Sequence, residues 1–173
     1  MPETKIYYGE METPVGPLTA LGDGDAIFRM DYGTMQSLEE KYIKWTERYF
    51  TNPVFNQQQD VIAGLKEEIM DYFQEGRQAF SVPMKLYGTP FQKEVWHALM
   101  DTIPFGKTST YKGIAQAIGK EKAVRAVGGA VNKNPISIIV PCHRVIGSNG
   151  KMVGYNGGLD KKEYLLALEG RSM

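Results

Sequence analysis

The sequence predicts an α/β (α+β) protein: a small amino-terminal mixed sheet-and-helix domain, residues 1–83, and then a mostly helical domain, residues 84–173, with a helix-turn-helix. Three observations predict it. Short strand-like segments separated by Gly and Asp fill the first thirty residues, apolar residues recur at helical spacing from residue 89 onward, and charge divides between the halves. Residues 1–83 hold 7 Lys/Arg against 14 Asp/Glu, a balance of −7. Residues 84–173 hold 13 against 6, a balance of +7. The basic half therefore either faces an anionic partner, nucleic acid first among them, or is one of two solvated surfaces of opposite sign.

The elements follow in order. Lys5 to Glu10, Pro17 to Leu21 and Ala26 to Asp31 read as strands, with Gly22-Asp23-Gly24-Asp25 supplying hairpin turn chemistry between the last two. Residues 32–56 are mixed, with a helix predicted from Leu38 to Tyr49. From Asp60 to Gln74, Val61, Leu65, Ile69 and Phe73 recur every fourth residue, and Gly76 lies past the end. Nothing in this half gathers a nucleophile, a base or metal ligands, so it reads as scaffold. Gln78 to Gly88, containing Pro83, is the expected connection.

Thr89-Pro90-Phe91-Gln92 is a capping box with Pro at the first helical position. Phe91, Val95, Leu99 and Ile103 form that helix's apolar stripe, and Pro104 and Gly106 end it. Two short helices follow, Tyr111 to Ile118 and Lys122 to Asn132, the second carrying Ala123, Val124, Val127 and Val131 on its apolar face. Ala115, followed four places on by Gly119, is the small-residue pattern of a helix-turn-helix, although many helical hairpins share it. In the last helix Asp160 can cap, Leu165 and Leu168 are buried candidates and Gly170 is the stop. Glu169 then opposes the helix dipole and calls for a partner, unless the terminus is frayed and solvated.

Composition excludes several classes. At 42% hydrophobic and 23% charged the chain is ordinary for a globular protein, and no run approaches the ~20 apolar residues of a membrane helix. Met1-Pro2-Glu3-Thr4-Lys5 lacks the regions of a signal peptide. A lone cysteine forms no internal disulfide, and one Cys with two His makes no four-ligand zinc site without carboxylates. A reducing, cytoplasmic setting without metal or cofactor is expected. Gly128-Gly129 lacks the spacing of a dinucleotide fingerprint, and His97 stands apart from any motif.

The apolar run Ile136 to Val140, opened by Asn134-Pro135, reads as a buried extended segment that ends at Pro141-Cys142-His143-Arg144-Val145-Ile146. A cysteine there is ordinarily a small core hydrophobe. Here His143 and Arg144 follow directly, and positive charge near sulfur favours the thiolate, which a thiol titrating near ~8.5 needs for attack at neutral pH.

The string Val140-Pro141-Cys142-His143-Arg144-Val145-Ile146 resembles the active-site signature of the O6-alkylguanine-DNA alkyltransferases, or methylated-DNA–protein-cysteine methyltransferases. The resemblance runs from about Thr89 to Gly170 and includes Tyr111, Arg125-Ala126-Val127-Gly128-Gly129, Asn134-Pro135, Gly154-Tyr155-Asn156-Gly157-Gly158 and Glu169 in matching order. It implies a single-turnover DNA repair enzyme that flips O6-alkylguanine, chiefly O6-methylguanine and also O4-methylthymine, out of duplex DNA and transfers the alkyl group to Cys142. It further implies His143 as general base through a water, Glu169 as the group that orients His143, Asn134 as a member of the same network, and Tyr111 as donor to the base. Val145, Tyr155, Asn156 and Gly157 would line the substrate pocket. Relatives usually carry a small residue where Asn156 stands, which leaves the range of accepted alkyl groups open.

Arg125 resembles the family's intercalating finger, with Ala126, Gly128, Gly129 and Lys133 on the DNA-facing surface and Lys107, Lys112 and Lys151 as further phosphate contacts. The two glycines fit either close approach to DNA or close helix packing. A monomer acting in the minor groove is expected. Two other readings are a non-catalytic module that binds alkylated DNA, which would lack the cysteine, and a cysteine hydrolase built on Cys142, His143 and Glu169.

Overall fold

In the computed structural model, which describes residues 2–171, alternating side chains build a four-stranded sheet in the first part of the chain. Its strands are β1 (Thr4–Thr13), β2 (Gly16–Gly22), β3 (Ile27–Tyr32) and β4 (Pro53–Gln57), in spatial order β3-β2-β1-β4. β1 and β3 flank β2 antiparallel, and β4 joins β1 in parallel. The β2–β3 turn is closed by Asp23, whose Oδ1 accepts from the Asp25 and Ala26 amides at 2.9 Å each, with Gly24 left-handed at φ 96°. β4 escapes sequence reading because it is a short, half-buried edge strand opening on proline and carrying Asn56 and Gln57.

Helix α1 (Met35–Tyr49) starts earlier than the apolar pattern indicates, because Thr34 caps it by accepting from the Ser37 amide. A 3₁₀ turn, Gln59–Ile62, leads into α2 (Ala63–Glu75), which Gly76 closes at φ 72°. Ile6, Leu21, Phe28, Met35 and Tyr42 form the core here, flanked by Trp45, Phe50 and Tyr87. Beside it Asp31 is buried, and its carboxylate is satisfied by Arg29 Nη2 (2.6 Å), Arg29 Nε (3.1 Å) and the Tyr42 hydroxyl (2.7 Å). Burial pushes the Tyr42 hydroxyl well above its ordinary value, with the Asp31 charge acting in the same direction, so it stays a donor. The expected connection is ordered: Glu68 binds the Ser81 and Val82 amides, and Met84 bridges to Ile27.

The chain divides into two units, the first ending at Tyr87 and the second beginning at Gly88. In the second, the capping box forms as read. Gln92 N donates to Thr89 Oγ1 and Thr89 N to Gln92 Oε1, opening α3 (Pro90–Thr102). Its buried stripe is Val95, Trp96 and Leu99, with Phe91 only half-buried. The Trp96 indole donates to Ala130 O at 2.8 Å, tying α3 to the helix that carries Ala130. A Cβ on Gly88 would lie 2.6 Å from Trp96, which requires glycine there.

Helices α4 (Tyr111–Ala117) and α5 (Val124–Asn132) form the helix-turn-helix, with Ala115 fully buried and Gly119 left-handed at φ 72°. α5 begins two residues later than expected, and Val124 lies on its outer side at 37% exposure. Two short strands, β5 (Ser109–Thr110) and β6 (Val145–Ile146), pair in parallel, and α6 (Leu159–Arg171) closes the unit. Asp160 falls inside the first turn of α6 and Gly170 inside the helix, so neither the cap nor the stop read from sequence is realised.

Tyr42→Phe would leave the buried Asp31 carboxylate one donor short, at a cost of about 1–3 kcal/mol. A lower thermal midpoint by circular dichroism is the expected result, and an unchanged midpoint would show that water replaces the hydroxyl.

Candidate active site

The run Ile136 to Val140 is buried, as its composition requires, but it is folded into turns and not extended. Ile138 adopts φ 72°, a left-handed conformation costing a non-glycine residue about 1–3 kcal/mol. Asn134 holds this conformation from the inside. Its Oδ1 accepts from the Ile136 amide at 2.9 Å, while Nδ2 donates to Val140 O at 2.7 Å and to Cys142 Sγ at 2.9 Å. One amide therefore closes the loop and reaches the sulfur at its end.

Pro141 leads into a 3₁₀ turn, Cys142–Arg144, that buries three consecutive chemically active side chains. His143 Nε2 lies 2.6 Å from Glu169 Oε2. Arg144 Nε and Nη2 donate to the two oxygens of the same carboxylate at 2.8 and 3.1 Å, and Nη1 donates to Ile103 O at 2.7 Å. Glu169 is 1% exposed, so the turn of α6 that carries it is packed and not solvated. Burial alone would raise its carboxyl, but the His143 and Arg144 hydrogen bonds and charges bring it down to about 2.

That ionised carboxylate can only accept, which assigns the proton to His143 Nε2. Burial pulls the imidazole below its ordinary value, against the pull of Glu169. The neutral ring thus keeps its lone pair on Nδ1, and this buried atom has no hydrogen-bond partner among the described residues. The arrangement is an oriented base with a free basic nitrogen, one residue from the cysteine.

Cys142 is 4% exposed, far less open than a surface nucleophile. Burial pushes its thiol up to about 11, opposed by the Asn134 hydrogen bond, the Lys162 charge and a Tyr155 hydrogen bond. The expectation that His143 and Arg144 supply positive charge to the sulfur needs correction: both are engaged by Glu169, and the cation that acts on Cys142 is Lys162. Lys162 was missed by sequence reading, yet it stands three residues before Leu165 and seven before Glu169, on the buried face of α6.

Tyr111, at the start of α4, is half-buried and held above its ordinary value by burial and by Cys142, which keeps it a hydroxyl donor. Val145 is buried, Tyr155 and Gly157 are half-buried, and the exposed Asn156 donates from Nδ2 to Asn132 O at 2.6 Å, joining its loop to the end of α5. Arg125, Ala126 and Gly129 lie on the exposed side of α5, Gly128 at its margin, Lys133 is exposed at its C-cap, and Lys107, Lys112 and Lys151 are exposed elsewhere. A Cβ on Gly128 would meet only ordinary contact with Tyr111 at 3.8 Å, and one on Gly129 would meet nothing within 4 Å. Internal packing therefore requires neither glycine. His97 is exposed, and no group of three or more His, Cys, Asp or Glu suited to a metal occurs among the described residues.

Because the folded-state carboxyl of Glu169 lies below its ordinary 4.5, its contribution to stability is present above that value and is lost as pH falls toward about 2. Urea midpoints measured across this window should fall more steeply for the native chain than for Glu169→Gln, and parallel curves would contradict the assigned ion pair.

Comparison with known proteins finds relatives along nearly the whole chain. The profile described as "6-O-methylguanine DNA methyltransferase, ribonuclease-like domain" matches residues 6–86, and the one described as "6-O-methylguanine DNA methyltransferase, DNA binding domain" matches residues 90–171. The methylated-DNA–protein-cysteine methyltransferase of Methanosarcina acetivorans is 42% identical over 165 residues, covering 95% of this chain and 99% of the relative. That of Haemophilus influenzae is 41% identical over 169 residues, covering 96% of this chain and 87% of the relative. A crystal structure of Mycobacterium tuberculosis OGT in complex with DNA superposes with a TM-score of 0.78 at 39% identity, covering 96% of this chain and 94% of that one. Through both its halves, the chain belongs to the 6-O-methylguanine DNA methyltransferase family.

Proposed function

We infer that this protein repairs O6-alkylguanine in DNA by accepting the alkyl group on Cys142, once per molecule. The observation that carries the reading is the free Nδ1 of a His143 whose Nε2 is fixed by Glu169, beside a sulfur held by Asn134. A thiol at about 11 needs a base to react at neutral pH. The proton leaves Cys142 through a water to His143 Nδ1, and the resulting imidazolium is stabilised by Glu169. The thiolate attacks the alkyl carbon, a C–S bond forms as the C–O6 bond breaks, and the electron pair passes to guanine, which the Tyr111 hydroxyl assists by hydrogen bonding. The thioether has no easy exit, so the event is irreversible. The hydrolase reading instead requires an acyl-enzyme that turns over, so one event per molecule against repeated turnover separates the two.

The target base must leave the duplex to reach a sulfur this enclosed. The exposed side of α5 supports that role: Arg125 replaces the extruded base in the stack, and Gly128 and Gly129 let the helix backbone press on the minor groove. Lys133 and the exposed Lys107, Lys112 and Lys151 contact phosphates. Val145, Tyr155, Asn156 and Gly157 surround the flipped base. The protein works as a monomer in the cytoplasm. O4-methylthymine is a second substrate.

Incubation with a duplex carrying O6-methylguanine should add one methyl per molecule, mapped by mass spectrometry to the peptide containing Cys142. Absence of any gain with excess lesion DNA sinks the reading. Cys142→Ala should keep lesion binding and lose transfer. Arg125→Ala should slow transfer on duplex by roughly tenfold or more, since unstacking costs a few kcal/mol, and leave a single-stranded lesion nearly unaffected. Equal slowing on both substrates would remove Arg125 from base extrusion.

A further inference from the structure

Helix α5 ends at Asn132, and the carbonyls of its last residues have no partner inside the helix. Two of them are met from nearby or from α3: the Trp96 indole donates to Ala130 O, and the Asn134 amide to Val131 O at 3.2 Å. Asn132 O is met from much farther along the chain, by Asn156 Nδ2 at 2.6 Å. Asn156 stands in the stretch Gly154-Tyr155-Asn156-Gly157-Gly158, where glycines restrain the backbone little and Gly158 is left-handed at φ 102°. A side-chain tie to a helix therefore does much to fix where this loop lies.

Each end of the tie adjoins a residue that touches the sulfur. Two residues beyond Asn132, Asn134 donates to Cys142 Sγ at 2.9 Å, and beside Asn156, Tyr155 hydrogen-bonds to the same sulfur. Asn132 also continues the outer stripe of α5. Arg125, Gly129 and Asn132 recur at helical spacing on one face, and all three are exposed. Arg125 and Asn132 are then about 10 Å apart along the helix axis. The resemblance gives relatives a small residue at this place, and a small residue has no amide to donate, so the tie belongs to this chain's own sequence.

We propose that Asn156 is a positioning residue that clasps the base-pocket loop to the DNA-facing helix, so that docking of α5 on a duplex and the placing of Tyr155 beside Cys142 are one event. The inference rests on the function proposed above and deepens it. A base extruded at Arg125 has to arrive where Tyr155 and Asn134 flank the sulfur. A loop that moved independently of α5 would present its wall at variable distances from that base, and transfer is sensitive to such misplacement. With the clasp closed, a duplex pressing on Arg125 and Gly129 also bears on the loop through Asn132.

Hydrogen exchange followed by mass spectrometry reads this coupling without any alkyl transfer. An undamaged duplex should slow amide exchange in residues 153–158 of the native chain. In Asn156→Ala that slowing should shrink to roughly half or less while protection of α5 persists, and Asn156→Gln, which keeps the amide donor, should recover part of it. At saturating lesion duplex, Asn156→Ala should transfer methyl roughly fivefold more slowly, the scale of one exposed hydrogen bond, with a smaller loss on a single-stranded lesion. A merely structural role would slow both substrates alike. Absence of loop protection in the native chain, equal protection in Asn156→Ala, or equal slowing on the two substrates overturns the proposal. If the native chain takes no methyl from the lesion duplex, the function fails on that result, and the exchange data still decide separately whether Asn156 couples the loop to α5.

Discussion

Taking the Glu169 carboxylate out of water at the carboxy end of a helix costs several kcal/mol, and the helix dipole adds to that cost. The surrounding structure offsets it with three donors from two consecutive residues, His143 Nε2 and the Arg144 guanidinium. Satisfying Glu169 has three consequences. It anchors α6 against the 3₁₀ turn, it fixes the imidazole tautomer, and it leaves the buried Nδ1 without a hydrogen-bond partner among the described residues. Were the carboxylate protonated or displaced, Arg144 would be a buried charge without a partner and His143 would be free to rotate. The fold of the second unit and the proposed activation of its cysteine therefore share one carboxylate.

Cys142 is presented by a loop under strain. Asn134 spends its whole side chain on that loop, meeting Ile136, Val140 and the sulfur at once. Ile138 is held in a left-handed conformation that an apolar β-branched residue adopts only when its surroundings impose it. The thiol is therefore both rigid and enclosed. An enclosed thiol with a raised pKa is protected from adventitious alkylation and oxidation, and a protein that can act only once depends on that protection.

The helix-turn-helix divides its labour by face. Val127, Ala130 and Val131 seat α5 on the unit, and Trp96 locks it from α3 by bonding the Ala130 carbonyl. The opposite side carries Arg125, Ala126 and Gly129, small or cationic and exposed. Asn156 connects this helix to the loop carrying Tyr155, so an outward contact at α5 and the surroundings of the sulfur are mechanically joined.

Much of the architecture was legible in local chemistry. Turn residues at Asp23 and Gly24, the Thr89 capping box, the glycines at 76 and 119 and the four-residue apolar spacings located strands and helices, because these signals act within a few residues of themselves. The cysteine motif likewise marked Cys142 and His143, the family resemblance added Asn134 and Glu169, and the need of Glu169 for a partner followed from the helix dipole. Other features depended on distant partners. β4 exists because β1 offers an edge, the run before Cys142 turns because Asn134 bonds across it, and Arg144 serves Glu169 instead of the sulfur because folding brings them 2.8 Å apart. The helical spacing of Lys162 from Leu165 and Glu169 puts it on the buried face, but tertiary structure decides that its ammonium is tolerated there, since carbonyls distant in sequence converge to replace its water.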